Sequence, residues 1–450
     1  MIQDFLQLAV DETPFLLQND KIISRKEFIE RVQTISDTIQ KLHLNDTYIY
    51  LYLSNSFDFY TSLIALWRLN KKVIFPTKIN LDNNVIPQYC QYIFTIQNNE
   101  PNIVTNESYI KLLDEGDTVL FSSGSTGEPK GIVHHKEHFF INALETLHTL
   151  QIENVVSITY LKPYLVSALS HFLVHWYSKS LLIFDEYQNI NNLNHYKKIS
   201  MELNIVGSPI HIISSIEPLK NASISPKFFF SSGDAINDTI IEDILQHFKN
   251  ITFFKVYGLA EVAGRLYINT IKKEAEVRNI GILLPSMHIE IEEEEIIVSS
   301  KILFLGYIKN NKYIKREHNF HTGDLVTIED NNTILKGRKN DEIKVAGHKV
   351  SIKYLENSVN HILNLLDINI LIIIPTPHSL FGNTLNMLID NPSLKREEIV
   401  KALKDNLKSY QIPHSFYYIH PDDIPFTQTM KIDRPALQNL LLEDKLERVV

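Results

Sequence analysis

Residues 118–131 read TVLFSSGSTGEPKG, and the reading of the whole chain starts from them. An apolar run from Thr118 to Phe121 enters Ser122 and Ser123, then Gly124-Ser125-Thr126-Gly127, then Glu128-Pro129-Lys130-Gly131. Glycines let a backbone close on phosphate oxygens, while Ser, Thr and Lys side chains donate hydrogen bonds to them. The stretch has the chemistry of a polyphosphate cradle. It is not the P-loop of kinases and NTPases, in which the lysine directly follows a glycine. Here Glu128 and Pro129 separate Gly127 from Lys130.

Glycine is scarce elsewhere, which gives the cluster weight. Fourteen glycines in 450 residues is about 3%, roughly half the usual share. A chain this poor in glycine is expected to keep it where backbone geometry or close ligand approach demands it. The remaining marked segments stand at Gly233, Gly258, Gly281, Gly306, Gly323, Gly337 and Gly347.

Length allows two or three domains at roughly 150 residues each. Hydrophobic residues make up 44% and charged residues 22%, an ordinary globular composition. With 44 basic against 53 acidic residues the net charge is −9, which argues against a general nucleic-acid or anionic-membrane binder. Cys90 is the only cysteine, so neither an intrachain disulfide nor a multi-cysteine zinc site can form. Asp4 interrupts the first apolar stretch and no basic leader precedes it, so no secretory signal is expected. The longest apolar run, Ile368 to Pro375, is broken by Asn369 and is too short to span a bilayer. A cytoplasmic location with no integral membrane segment is the expectation.

Outward from the cluster, hydrophobic periods alternate. Arg25 to Leu42 has the 3.6-residue period of an amphipathic helix, Tyr48 to Leu53 reads as a strand, Asp58 to Leu69 as a helix and Lys72 to Pro76 as a strand. The alternation returns with Ser180 to Phe184, Asn237 to Phe248 and Phe253 to Tyr257, the order expected of parallel α/β layering. Met287 to Ser299 carries an acidic run, Glu290 and Glu292 to Glu295, read as a charged strand edge or hairpin. After Gly337 the spacing predicts a helix over Ile352 to Leu363, a strand over Ile368 to Ile374 and a helix over Arg396 to Lys408.

With these segments in order, the chain resembles the adenylate-forming (AMP-binding) enzymes, which include acyl- and aryl-CoA synthetases and peptide-synthetase adenylation domains. Thr118 to Gly131 resembles their phosphate loop, and Ser232-Gly233-Asp234-Ala235 stands where they have an adenine-side segment. Tyr257-Gly258-Leu259-Ala260-Glu261 is similar to their Y-G-x-T-E motif, and His321-Thr322-Gly323-Asp324 to their T-G-D motif. Gly337-Arg338 through Val350 resembles the hinge and the loop after it, and Pro425 through Lys431 to Arg434 the terminal lysine motif. The resemblance implies an α/β fold: a large N-terminal domain of layered sheets and helices, residues 1–337, and a small mobile C-terminal α+β lid, residues 338–450, hinged near Asn340.

It also implies roles. Ser122, Ser123, Gly124, Ser125, Thr126, Gly127 and Lys130 would hold the phosphates of ATP, with Gly233, Asp234, Ala235, Tyr257 and Gly258 around the nucleotide. Asp324 would take the ribose hydroxyls, Arg338 would fix the sugar or a phosphate, Glu261 would hold Mg²⁺, and Lys431 would bridge the carboxylate and α-phosphate during catalysis. Three positions depart from the family pattern: Ala260 for a threonine, Asn340 for the hinge aspartate and Met430 for a glycine. Pro163 to Leu169, where amino-acid-activating relatives carry an aspartate, has no carboxylate. An unpartnered ammonium there is disfavoured, so an aryl or fatty acid is expected. The chain ends at Val450, without room for a fused carrier domain, so the thiol would come from CoA or a carrier protein in trans. A stand-alone amino-acid adenylation enzyme and a non-catalytic ATP- or acyl-binding relative remain as alternatives.

Overall fold

The computed structural model describes residues 1–7, 11–18, 21–76, 86–112, 115–122, 130–184, 199–200, 202–234, 236, 238–329, 332–339, 342–363, 366, 368, 370–404, 407–426 and 432–449. Among them four sheets form. A nine-stranded sheet has a parallel centre, in which Phe228–Ser231, Leu203–Gly207, Val156–Thr159, Leu181–Phe184 and Pro14–Gln18 lie side by side. An eight-stranded sheet carries Lys130–His134, Thr118–Ser122, Lys72–Ile74, Tyr48–Leu51 and Cys90–Gln97 in that order. Parallel neighbours need crossovers, and helices supply them: Ser56–Arg68 between Tyr48–Leu51 and Lys72–Ile74, Asp238–His247 between Phe228–Ser231 and Thr252–Tyr257.

The largest core fills the space around the helices Arg25–Lys41, Ser56–Arg68, Lys136–Leu150 and Val166–Tyr177. Arg25–Lys41 buries Phe28, Val32, Ile35 and Ile39 on one face, as its period predicts. Its start is fixed by a capping box: the Glu27 N–H donates to Ser24 Oγ at 3.1 Å, and the Ser24 N–H donates to Glu27 Oε2 at 2.9 Å. Ser56–Arg68 is apolar nearly all round and buries Phe59 through Trp67 without a break, which suits a helix enclosed by other elements.

The acidic run folds as a hairpin, His288–Glu292 against Glu295–Ser299, with Glu293 and Glu294 at φ 48° and 69° in the turn. Glu295 differs from its solvated neighbours. It is buried, accepts from the Gly323 N–H at 2.9 Å and pairs with Lys339 at 3.1 Å. One acidic residue of the run therefore anchors the Thr322-Gly323-Asp324 turn.

From residue 342 onward a separate six-stranded sheet forms, and two hydrophobic clusters consist wholly of residues from Ile343 on. The strand expected over Ile368 to Ile374 lies instead at Leu371–His378 and runs through Pro375 and Pro377. Among the described residues it pairs only with Gly382–Ile389, and such an edge position tolerates prolines, whose missing N–H has no ladder to complete. No helix of the described residues is long and apolar enough to cross a membrane.

Candidate active site

The strand Thr252–Tyr257 delivers the Tyr257-Gly258 step, and a single 3-10 turn over Ala260–Val262 follows. Gly258 is forced by packing: a Cβ there would lie 1.9 Å from the Gly264 carbonyl oxygen and 2.9 Å from Arg265 Cα. The turn sets Glu261 inward, where the Tyr307 hydroxyl donates to its Oε1 at 3.0 Å. Burial pushes the Glu261 carboxyl above its ordinary pKa. The Lys130 ammonium lies 5.7 Å from the centroid of the same Tyr307 ring. The far end of the 118–131 stretch is thus brought to Glu261 through one aromatic side chain. Ala260, where the family pattern has threonine, presents its carbonyl to His134 Nε2 at 2.9 Å.

Asp324 lies opposite Arg338 on paired strands. Its Oδ1 accepts from Arg338 Nε at 3.0 Å and its Oδ2 from the Tyr257 hydroxyl at 2.6 Å. Burial, with the Asp324 carboxylate beside it, pushes the Tyr257 phenol well above its ordinary pKa and keeps it a donor. The Asp324 N–H donates to Thr322 Oγ1 at 3.0 Å, and that hydroxyl donates to the Ile296 carbonyl at 2.8 Å. Each carboxylate oxygen has two lone pairs, so Asp324 keeps acceptor capacity for a ligand's hydroxyls. Gly337 precedes Arg338 at φ 121°, a left-handed geometry that side chains resist.

One cavity collects Gly233, Asp234, Tyr257, Gly258, Asp324 and Arg338. It therefore joins four segments that lie apart in sequence. Lys353, from the helix Ile352–Leu363, enters the same cavity and pairs with Asp234. Ser122 ends its strand, whereas Ser123, Gly124, Ser125, Thr126, Gly127, Ala235, Asn340, Met430 and Lys431 lie outside the described residues. The ends of the lysine segment are held: Phe426 bridges Ile432, the Asp433 N–H donates to the Pro425 carbonyl at 2.8 Å, and Arg434 Nη2 reaches both oxygens of Glu356.

Sequence reasoning misses Tyr307 and Lys353. Gly306 marks the first as a neighbour of a conspicuous glycine, but nothing in the local pattern announces that a tyrosine hydroxyl will meet Glu261. Among the described residues no group of three His, Cys, Asp or Glu side chains is arranged to hold a metal ion. Glu261 offers a single hard carboxylate oxygen donor, which fits a cation held by one carboxylate and otherwise by phosphates and water, as Mg²⁺ often is.

A profile of the AMP-binding enzyme family matches residues 97–308. Within that span the chain carries an AMP-binding enzyme domain. Among sequence relatives, a putative long chain fatty acid-CoA ligase of Staphylococcus haemolyticus is 24% identical over 356 residues, covering 75% of this chain and 74% of the relative. A D-alanine–D-alanyl carrier protein ligase of Staphylococcus aureus is 22% identical over 396 residues, covering 78% and 76%. The chain also shares its fold with solved structures across nearly its whole length. A variant of E. coli MenE superposes with a TM-score of 0.77 at 17% identity, covering 98% of this chain and 97% of that one. ATP-bound MatB from Rhodopseudomonas palustris gives 0.78 at 14% identity, with 97% and 98% covered.

Proposed function

We propose that this chain is an AMP-forming acid–thiol ligase. A carboxylate oxygen attacks the α-phosphorus of ATP, the bond to the β-phosphate oxygen breaks, and pyrophosphate leaves. The thiol of CoA or of a carrier protein's phosphopantetheine then attacks the acyl carbonyl. The carbonyl carbon–oxygen bond breaks, and AMP leaves with that oxygen. The observation that carries this reading is the convergence of Lys130 and Glu261 on Tyr307, a short step along the chain from the Tyr257–Asp324–Arg338 network. A cation, a metal-competent carboxylate and a sugar-competent carboxylate are what a nucleoside triphosphate requires.

In this reading Ser122, Ser123, Gly124, Ser125, Thr126, Gly127 and Lys130 receive the phosphates. Gly233, Asp234, Ala235, Tyr257 and Gly258 surround the base, and Asp324 and Arg338 take the ribose. Mg²⁺ held by Glu261 would draw charge from the phosphate oxygens when bound. Lys431 brings a positive charge to the two anions as they meet. Residues 338–450 act as a lid hinged near Asn340; the Lys353–Asp234 pair and the Ser351 hydroxyl on the Lys336 carbonyl tie the two units in the present arrangement. The acid is of the apolar aryl or fatty class, because Pro163 to Leu169 offers no carboxylate and Tyr164, Leu165 and Val166 pack on the main core.

Exchange of labelled pyrophosphate into ATP tests the reading. Exchange should require a carboxylic acid and should not require a thiol. Acid-dependent release of ADP and phosphate in its place would contradict it.

A further inference from the structure

Arg265 stands four residues after Glu261 and is 3% exposed. Its main chain is fixed by Asn142, which accepts the Arg265 N–H at 3.2 Å and donates to its carbonyl at 2.7 Å. The turn therefore does not need the guanidinium. That group lies on the Phe230 ring, 4.5 Å from its centroid, and Nη2 donates to His171 Nδ1 at 3.1 Å. Nη1 is buried and has no hydrogen-bond partner among the described residues, and neither has Ser170 Oγ next to His171.

Among the described residues no acidic group is paired with this charge. Burial and the adjacent guanidinium hold His171 well below its ordinary pKa, so it accepts as a neutral imidazole. Burial pulls Arg265 down only to about 9, so it stays cationic at neutral pH. A buried cation with a spare donor and no counter-charge is costly unless an anion meets it.

Three elements converge on this group. Phe230 sits on the strand Phe228–Ser231, which runs into Ser232-Gly233-Asp234 of the nucleotide cavity. Arg265 closes the turn that begins at Gly258, where an added Cβ would lie 1.9 Å from the Gly264 carbonyl oxygen and 2.9 Å from Arg265 Cα. His171 lies on the helix Val166–Tyr177, directly beyond the Pro163 to Leu169 segment. An acid bound with its carboxylate toward the nucleotide and its body along that segment would end at this cation.

Building on the ligase reading above, we propose that Arg265 and His171 form the distal end of the acyl pocket. The acid activated here carries a second anionic group at the far end of an apolar body, in the simplest case a second carboxylate accepting the Arg265 Nη1 N–H.

Pyrophosphate exchange by the full chain tests this with matched pairs: saturated monocarboxylates against α,ω-dicarboxylates of equal length, and benzoates with and without a second carboxylate. The best diacid should exceed its monoacid partner in kcat/KM by about 10²-fold, the scale for losing one partner of a buried charged hydrogen bond. Arg265→Met should lower that diacid-to-monoacid ratio by a similar factor, and Arg265→Lys should leave an intermediate ratio. Should Arg265→Met fail to fold, the ratio in the unaltered protein still decides. Exchange with monoacids equal to or better than diacids overturns this inference and leaves the ligase reading standing. Exchange with no acid of either kind overturns both.

Discussion

Two charged clusters flank Gly258, and they are built on opposite principles. On the side of the cavity, the Asp324 carboxylate meets Arg338 and the Tyr257 hydroxyl. On the other side, the Arg265 guanidinium meets a neutral imidazole and an aromatic face and keeps a donor unused. The first cluster is self-sufficient. It presents acceptor lone pairs that any ribose can use, as suits a co-substrate common to every turnover. The second carries a charge that its own neighbours leave unbalanced, as suits a site that selects one ligand from many. A paired charge sets geometry, whereas an unpaired buried charge sets preference, because the analogue without the matching group leaves it desolvated and alone.

The largest effect is expected from the lysine of the terminal motif. Lys431→Ala should slow adenylate formation by roughly 10²–10³-fold, the scale for removing a preorganised electrostatic donor. Thioester formation from supplied acyl-adenylate should fall far less; equal losses in both half-reactions would break the assignment of Lys431 to the first step. Next in size, Asp324→Ala should raise KM for ATP by roughly 10–100-fold, as for a charged hydrogen bond. The KM for the acid should move little, and parallel rises in both would dissolve the distinction between the two ends.

A pH effect on stability comes next. Burial holds His134 down to about 3, and His138, His175 and His211 to about 4. These imidazoles stay neutral in the folded chain, while the unfolded chain takes up protons as pH falls below the ordinary value of 6.5. The unfolded state then binds more protons, so stability is full above about 6.5 and declines as pH falls toward about 4. Each such group adds a slope of up to about 1.4 kcal/mol per pH unit. A melting temperature that stays level from about pH 7 to about pH 5 would contradict these burial effects. Smallest of all, Ser24→Ala removes a helix cap remote from both clusters. It should cost about 1 kcal/mol in denaturant unfolding with kcat/KM for ATP and acid unchanged.

The same contrast explains what can be read from sequence. The paired cluster is legible because its residues sit in short glycine-marked segments, Tyr257-Gly258, Thr322-Gly323-Asp324 and Gly337-Arg338, where backbone constraint leaves a local trace. Layering is legible from alternating periods, and the Arg25–Lys41 helix falls within a residue of its expected end. The strand Leu371–His378 is misplaced in sequence because proline reads as a stop unless the edge position is known. Arg265 is invisible for another reason. Its meaning depends on His171 and Phe230, which are 94 and 35 residues away in sequence, and on the absence of a nearby acid among the described residues. No local pattern records a missing partner. Tyr307 and Lys353 escape because their partners, Glu261 and Asp234, also lie far away in sequence.

Oxygen tracing tests the two-step chemistry most directly. With a carboxylic acid labelled with ¹⁸O in its carboxylate, unlabelled ATP and a phosphopantetheine thiol, AMP should emerge carrying one labelled oxygen per turnover, and pyrophosphate should carry none. Label in inorganic phosphate with ADP as co-product, or unlabelled AMP, would contradict an acyl-adenylate intermediate.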